Sequence, residues 1–205
     1  MAYENDEEQL EALRHFWERW GTVVLLVLAL GLGGAGAWQW YGGQQSGKAL
    51  EASMLYQQAI EAPEAAAANL AAERLRANYG GTRYAALGSL FQARRAVEAG
   101  DTDLAAQALQ WVRDETDESI LREFARLRLA QVRIAEQDFD TALALLADPV
   151  AAPLEAQRNE LRGDVLLALD RAGDARDAYA EALGQTEQSA RRDLLQMKLN
   201  AVDNS

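Results

Sequence analysis

The densest groupings of reactive side chains are carboxylates: Asp114 and Glu115 beside Asp117 and Glu118, and Asp138 beside Asp140. Carboxylates at such spacings can bind a hard cation through oxygen, or act as acid and base on a substrate. Either use requires a frame that buries or orients the pair. The flanking residues supply none, and on a solvated helical surface such groups cap helices and shape turns. The one histidine, His15, lies a turn before a long apolar run and reads as an interfacial polar residue rather than a ligand. With no cysteine there is no thiolate nucleophile, disulfide framework or zinc finger. No phosphate loop of the form GxxxxGK[ST] occurs, and Gly80-Gly81-Thr82 reads as a helix break. The sequence therefore predicts no catalytic, metal-binding or cofactor-binding residue, and a protein that is not an enzyme.

Composition narrows the class. The 205 residues carry 20 Lys+Arg against 32 Asp+Glu, a net charge of -12, which argues against binding nucleic acid through phosphate neutralisation. Ala and Leu make up about a third of the chain, while β-branched residues are few. Such a composition favours helices and leaves little material for a sheet.

Charge is unevenly placed. From Gly21 to Gly47 no charged residue occurs, and Thr22 to Leu32 is almost wholly aliphatic. As a helix, Gly21 to Tyr41 spans roughly 30 Å, the thickness of a bilayer's hydrocarbon core. Trp17, Trp20, Trp38, Trp40 and Tyr41 flank the run at its two ends, where aromatic rings settle at headgroup level. A cleaved signal peptide is the rival reading, because Ala35-Gly36-Ala37 has the A-x-A form. The acidic leader, with six Asp+Glu against Arg14 and Arg19, is unlike the basic start of a signal peptide and favours a retained anchor. Gly31, Gly33, Gly34, Ala35 and Ala37 form a small-residue face suited to close helix packing in lipid. Arg14 and Arg19 before the span, against Lys48 after it, place the N-terminus in the cytoplasm. The absence of thiols suits a body outside it. The predicted divisions are an acidic N-terminus at 1–20, a transmembrane helix at 21–41, a Gly-rich linker at 42–47 and a helical domain at 48–205.

Within that domain apolar residues recur at spacings of three and four. The predicted helices are 48–62, 65–79, 84–99, 102–113, 119–137, 139–147, 154–171, 174–184 and 188–200. A repeat underlies them. A small residue on one helix is followed twelve positions later by Ala on the next, and four further on by a large residue: Ala93, Ala105 and Leu109; Ala130, Ala142 and Leu146; Gly163, Ala175 and Tyr179, with Ala182 beyond. Two helices cross closely only where a small side chain lets them. Gly100-Asp101, Gln137-Asp138 and Gly173-Asp174 are the expected turns. Residues 48–79 form a degenerate first unit and 188–200 a closing helix. The expected fold is an N-terminal transmembrane helix followed by an all-α, tetratricopeptide-like solenoid of helical hairpins.

In such an array the first helix of each pair lines a concave face. The positions are Leu87, Leu90, Arg94 and Val97, then Phe124, Leu127, Gln131 and Ile134, then Gln157, Glu160, Asp164 and Leu167. The first two sets are mostly apolar and form the candidate partner-binding surface; the third is acidic. Either a partner segment or the protein's own terminal helices can occupy this face.

From Tyr3-Glu4 through Glu11, Phe16 and Trp17, a Gly-rich span ending in Trp38 and Tyr41, and the repeat body, the whole chain resembles the YfgM-like family of ancillary SecYEG translocon subunits. Matching segments are Ser53 to Ile60, Tyr84 to Leu87, Leu127 to Val132, Leu161 to Leu167 and Leu195 to Leu199. The Ala62-Pro63 connection with its Ala65 to Ala68 run departs from the family's polar linker and bears on how the first two helices pair. The resemblance implies a single-pass inner-membrane protein with a periplasmic body, associated with the SecYEG translocon and a membrane-anchored periplasmic chaperone of the prolyl-isomerase-like class. It also implies a role in passing exported client proteins to chaperones, and contact with an envelope-stress regulator on the cytoplasmic side. From the residues alone, a membrane-anchored tetratricopeptide scaffold of another envelope assembly is the alternative.

Overall fold

Short breaks divide the chain into antiparallel helices. The computed structural model describes residues 47–203, and among these every regular element is an α-helix. They are α1 (residues 47–61), α2 (Ala65–Tyr79), α3 (Arg83–Glu98), α4 (Thr102–Glu115), α5 (Ser119–Ala135), α6 (Phe139–Ala147), α7 (Ala152–Ala168), α8 (Ala172–Gly184) and α9 (Ser189–Asp203). The predicted transmembrane helix at 21–41, with Gly31, Gly33, Gly34, Ala35 and Ala37, lies outside the described residues, as do the acidic leader and the linker up to residue 46. Among the described residues no helix is long and apolar enough to cross a membrane.

The small-Ala-large spacing is the packing frame. Ala93, Ala105 and Leu109, Ala130, Ala142 and Leu146, and Ala175, Tyr179 and Ala182 are all buried, and Gly163 meets the Tyr179 ring. The first pair obeys the same rule: Ala59, Ala71 and Leu75 keep the spacing of twelve and four, and all three are buried. Ala59 lies 34 residues before Ala93, so α1 and α2 are a regular unit rather than a degenerate one. Pro63 ends α1, and Tyr79 closes the pair by donating a hydrogen bond to Glu51 at 3.0 Å. The cores run on from hairpin to hairpin: Leu127, Ala130, Ala142, Leu146, Leu161 and Val165 join α5, α6 and α7 in one cluster.

Three turns share one geometry. Gly100, Gln137 and Asp170 adopt φ of 79°, 62° and 58°, each seven residues after its unit's small residue. In each turn the following amide reaches back to a carbonyl of the finished helix: Asp101 to Ala96 at 2.8 Å, Asp138 to Arg133 at 2.9 Å and Arg171 to Leu166 at 2.9 Å. This left-handed closure satisfies carbonyls that the helix end leaves open. Asp101 and Asp138 then cap the next helix by accepting from the Leu104 and Thr141 amides. The expected third turn at Gly173-Asp174 is three residues late. The turn is Asp170-Arg171, and Gly173 and Asp174 lie in the first turn of α8. An aspartate tolerates the left-handed conformation that glycine would otherwise supply.

Side chains stitch the hairpins together. The 148–151 connection is held by Arg126, which donates to the Asp148 and Pro149 carbonyls at 3.0 and 2.8 Å, and by Glu123, which accepts from the Ala151 amide at 2.7 Å. Between α2 and α3, the half-buried Arg76 donates to the buried Gln92 at 2.5 Å. Burial lowers the Arg76 pKa, with Glu73 opposing the shift.

Candidate partner-binding cleft

Of the carboxylate pairs, Asp114, Glu118 and Asp138 have structural partners. Asp114 pairs with Arg113 at 2.7 Å, Glu118 receives Arg83 through two bonds of 2.6 Å, and Asp138 is the α6 cap.

The first helices of the second and third units border an apolar cleft of about 580 Å³. Its α3 wall carries Leu90, Arg94 and Val97, its α5 wall Phe124, Arg128 and Gln131, and Leu109 of α4 also lines it. Consecutive small residues are 34, 37 and 33 apart, and the cleft lies between the helices that carry Ala93 and Ala130. Across the shortest interval α5 and α7 close on each other, with Leu127, Leu161 and Val165 in shared packing.

Of the residues proposed from sequence, Leu90, Arg94, Val97, Phe124 and Gln131 line this cleft. Leu127 does not: it is fully buried beneath α5 among α6 and α7 residues. Its place three before the small residue matches that of Leu90, but the closer approach of α7 covers it. Ile134 is half-buried against the same cluster, and Leu87 is half-buried away from the cleft lining. Val97 is 53 % exposed, so part of the apolar wall faces solvent.

Arg128 was not singled out from sequence, although Phe124 and Arg128 stand at a helical spacing of four, which brings side chains together. The Arg128 guanidinium lies 4.7 Å from the centre of the Phe124 ring and donates to the Gln131 amide oxygen at 2.8 Å. Burial, and secondarily the nearby Arg191 charge, lower its pKa from the ordinary arginine value. It remains charged at neutral pH.

The acidic set on α7, in the fourth unit, has a different neighbour. A second hollow of about 470 Å³ is bordered by Gln157, Glu160, Asp164, Arg191 and Leu194, and shares Arg128 and Gln131 with the first. Here α9 reaches across: Lys198 meets Asp164 at 2.6 Å and Glu160 at 3.0 Å, and Arg191 meets Glu160 at 3.2 Å. The buried Tyr179 donates to Asp164 at 2.7 Å under the Lys198 ammonium. Leu167, the last of this set, is exposed. The protein's own closing helix thus engages the acidic set, and among the described residues nothing fills the apolar cleft between α3 and α5.

These features define a helical-hairpin repeat protein with an apolar cleft between its second and third hairpins. In agreement, residues 14–204 match the family model of the tetratricopeptide repeat-like domain. Among curated relatives, the chain is 30% identical to the ancillary SecYEG translocon subunit of Escherichia coli over 97% of both chains. It is 29% identical to that of Neisseria gonorrhoeae over 98% of this chain and 99% of the relative. The chain belongs to the ancillary SecYEG translocon subunit family. No solved structure matches it.

Proposed function

We propose that this chain is a non-enzymatic ancillary subunit of the Sec translocon in the bacterial inner membrane. Residues 21–41 span the bilayer once, with the N-terminus cytoplasmic and the repeat body periplasmic. The small-residue face of the span docks within the membrane, and the repeats engage a membrane-anchored periplasmic chaperone of the prolyl-isomerase-like class, passing exported proteins to it. The acidic leader is available to an envelope-stress regulator on the cytoplasmic side. The observation that carries the interaction role is the open apolar cleft between α3 and α5. Family membership supports the Sec association.

Site-specific photo-cross-linking in native membranes tests this reading. Probes at Gly31, Gly34 and Trp38 are expected to capture Sec channel subunits, and probes at Val97 and Phe124 a periplasmic chaperone. Absence of every Sec subunit among the span products would overturn the translocon assignment in favour of a scaffold for another envelope assembly. Protease digestion of the body in spheroplasts, with the leader protected, tests the topology.

A further inference from the structure

Charge is unbalanced where the two hollows meet. Three cations, Arg128, Arg191 and Lys198, face two carboxylates, Glu160 and Asp164, and the carboxylates are taken by Lys198 and Arg191. Among the described residues Arg128 makes no ion pair; its guanidinium lies over the Phe124 ring and donates to the Gln131 amide oxygen. A guanidinium offers five donors in a fork that matches a carboxylate. The other arginine of the cleft, Arg94, is already paired with Glu98 at 2.8 Å. Arg128, exposed to solvent, therefore presents a cation without an ion-pair partner among the described residues, at the edge of an apolar slot and beside the like charge of Arg191.

We propose that the α3–α5 cleft binds a peptide segment of a partner protein in which an Asp or Glu side chain meets Arg128 while neighbouring apolar side chains enter the slot bounded by Leu90, Val97 and Phe124. This rests on the reading of the cleft as a partner surface, and adds the chemistry of what it selects. The carboxylate belongs to a side chain within the segment rather than to a chain end. Arg128 and Gln131 line both hollows, so an occupant lying along this face has a further hollow to run into beyond the guanidinium. Arg128 supplies selectivity and register, and the slot supplies apolar burial.

The test uses the full chain in lipid nanodiscs and a displayed library of random peptides. Wild-type protein is expected to enrich sequences with one Asp or Glu flanked by apolar residues. The best of these, resynthesised with Gln or Asn in place of its acid and measured by fluorescence anisotropy, is expected to bind about tenfold more weakly. In Arg128→Gln the acidic and amide peptides are expected to bind equally. Enrichment without an acidic position, or an unchanged ratio in Arg128→Gln, overturns the proposal but leaves the cleft a partner surface. Val97→Asp, at a half-exposed site, is expected to lose both peptides with an unchanged melting temperature. Retention of both in Val97→Asp, or no enrichment by wild type, overturns the reading of the cleft itself.

Discussion

Gly163 of α7 and Tyr179 of α8 are fitted so closely that a methyl group at 163 would stand 2.5 Å from Tyr179 Cε1. The ring cannot swing aside, because it is buried and its hydroxyl is fastened to Asp164. Gly163→Ala is expected to destabilise the protein by roughly 1–2 kcal/mol, overpacking outweighing the gain in helix propensity. Gly173 has no atom within 4 Å of an added methyl, and Gly173→Ala is expected to stabilise by up to about 1 kcal/mol. Urea midpoints of the two variants should move in opposite directions; a shared direction would contradict the close contact.

The left-handed turns make a second set of expectations. Gln137→Gly relieves a non-glycine residue at φ 62° and should raise stability by about 0.5–1 kcal/mol, whereas Gly100→Ala, at φ 79°, should lower it by about 1 kcal/mol. Thermal melts of both variants, with unchanged helical content, check this.

Alkaline stability follows from Tyr179. Burial, and then its hydrogen bond to Asp164, raise its pKa far above the ordinary 10.0. The unfolded chain releases this proton near pH 10 and the folded chain does not. The contribution is therefore complete below that pH and is lost as the pH rises through it. The loss is about 1.4 kcal/mol per pH unit for one proton. Tyr179→Phe should remove that component of the slope while costing about 1 kcal/mol at neutral pH through the missing hydrogen bond. Equal alkaline slopes for the two proteins would refute this origin.

Binding and folding separate cleanly on α5 and α3. Leu127→Ser places a hydroxyl in the sealed core and should cost about 3 kcal/mol or more, lowering the melting temperature whatever the partner. Val97→Asp should leave the urea midpoint within about 0.5 kcal/mol of wild type while abolishing cross-links from the cleft. Loss of folding in Val97→Asp would place that residue in the core instead.

The helices and most of the packing frame were legible because helical hairpins fix a spacing that survives in the residue types. Alanine concealed the rest. In a chain so rich in it, Ala59, Ala71 and Leu75 passed unnoticed among other alanines although they keep the register. Gly173 drew the third turn three residues downstream because glycine is the usual left-handed residue, yet Asp170 takes that conformation. The cleft was half legible. Position within the unit placed Leu90, Val97 and Phe124, but whether a position is open depends on how near the next hairpin comes. Leu127 is sealed and Leu90 is not, a difference set by inter-unit distance and invisible in either helix alone. Arg128 went unnoted because its role rests on what does not pair with it.

The recurring turn and crossing leave a sparse frame. Each hairpin pins down a small residue, a left-handed residue seven later in three of the units, an alanine after twelve and a bulky residue after sixteen. Apart from these and the capping and linking side chains such as Asp101, Asp138, Arg126 and Glu123, many positions of the described body answer chiefly to burial or exposure and can be rewritten without moving the scaffold. If the cleft is the partner surface proposed above, substitutions along it are expected to change partner choice at little cost to the fold, whereas changes at the crossings would disturb the whole body.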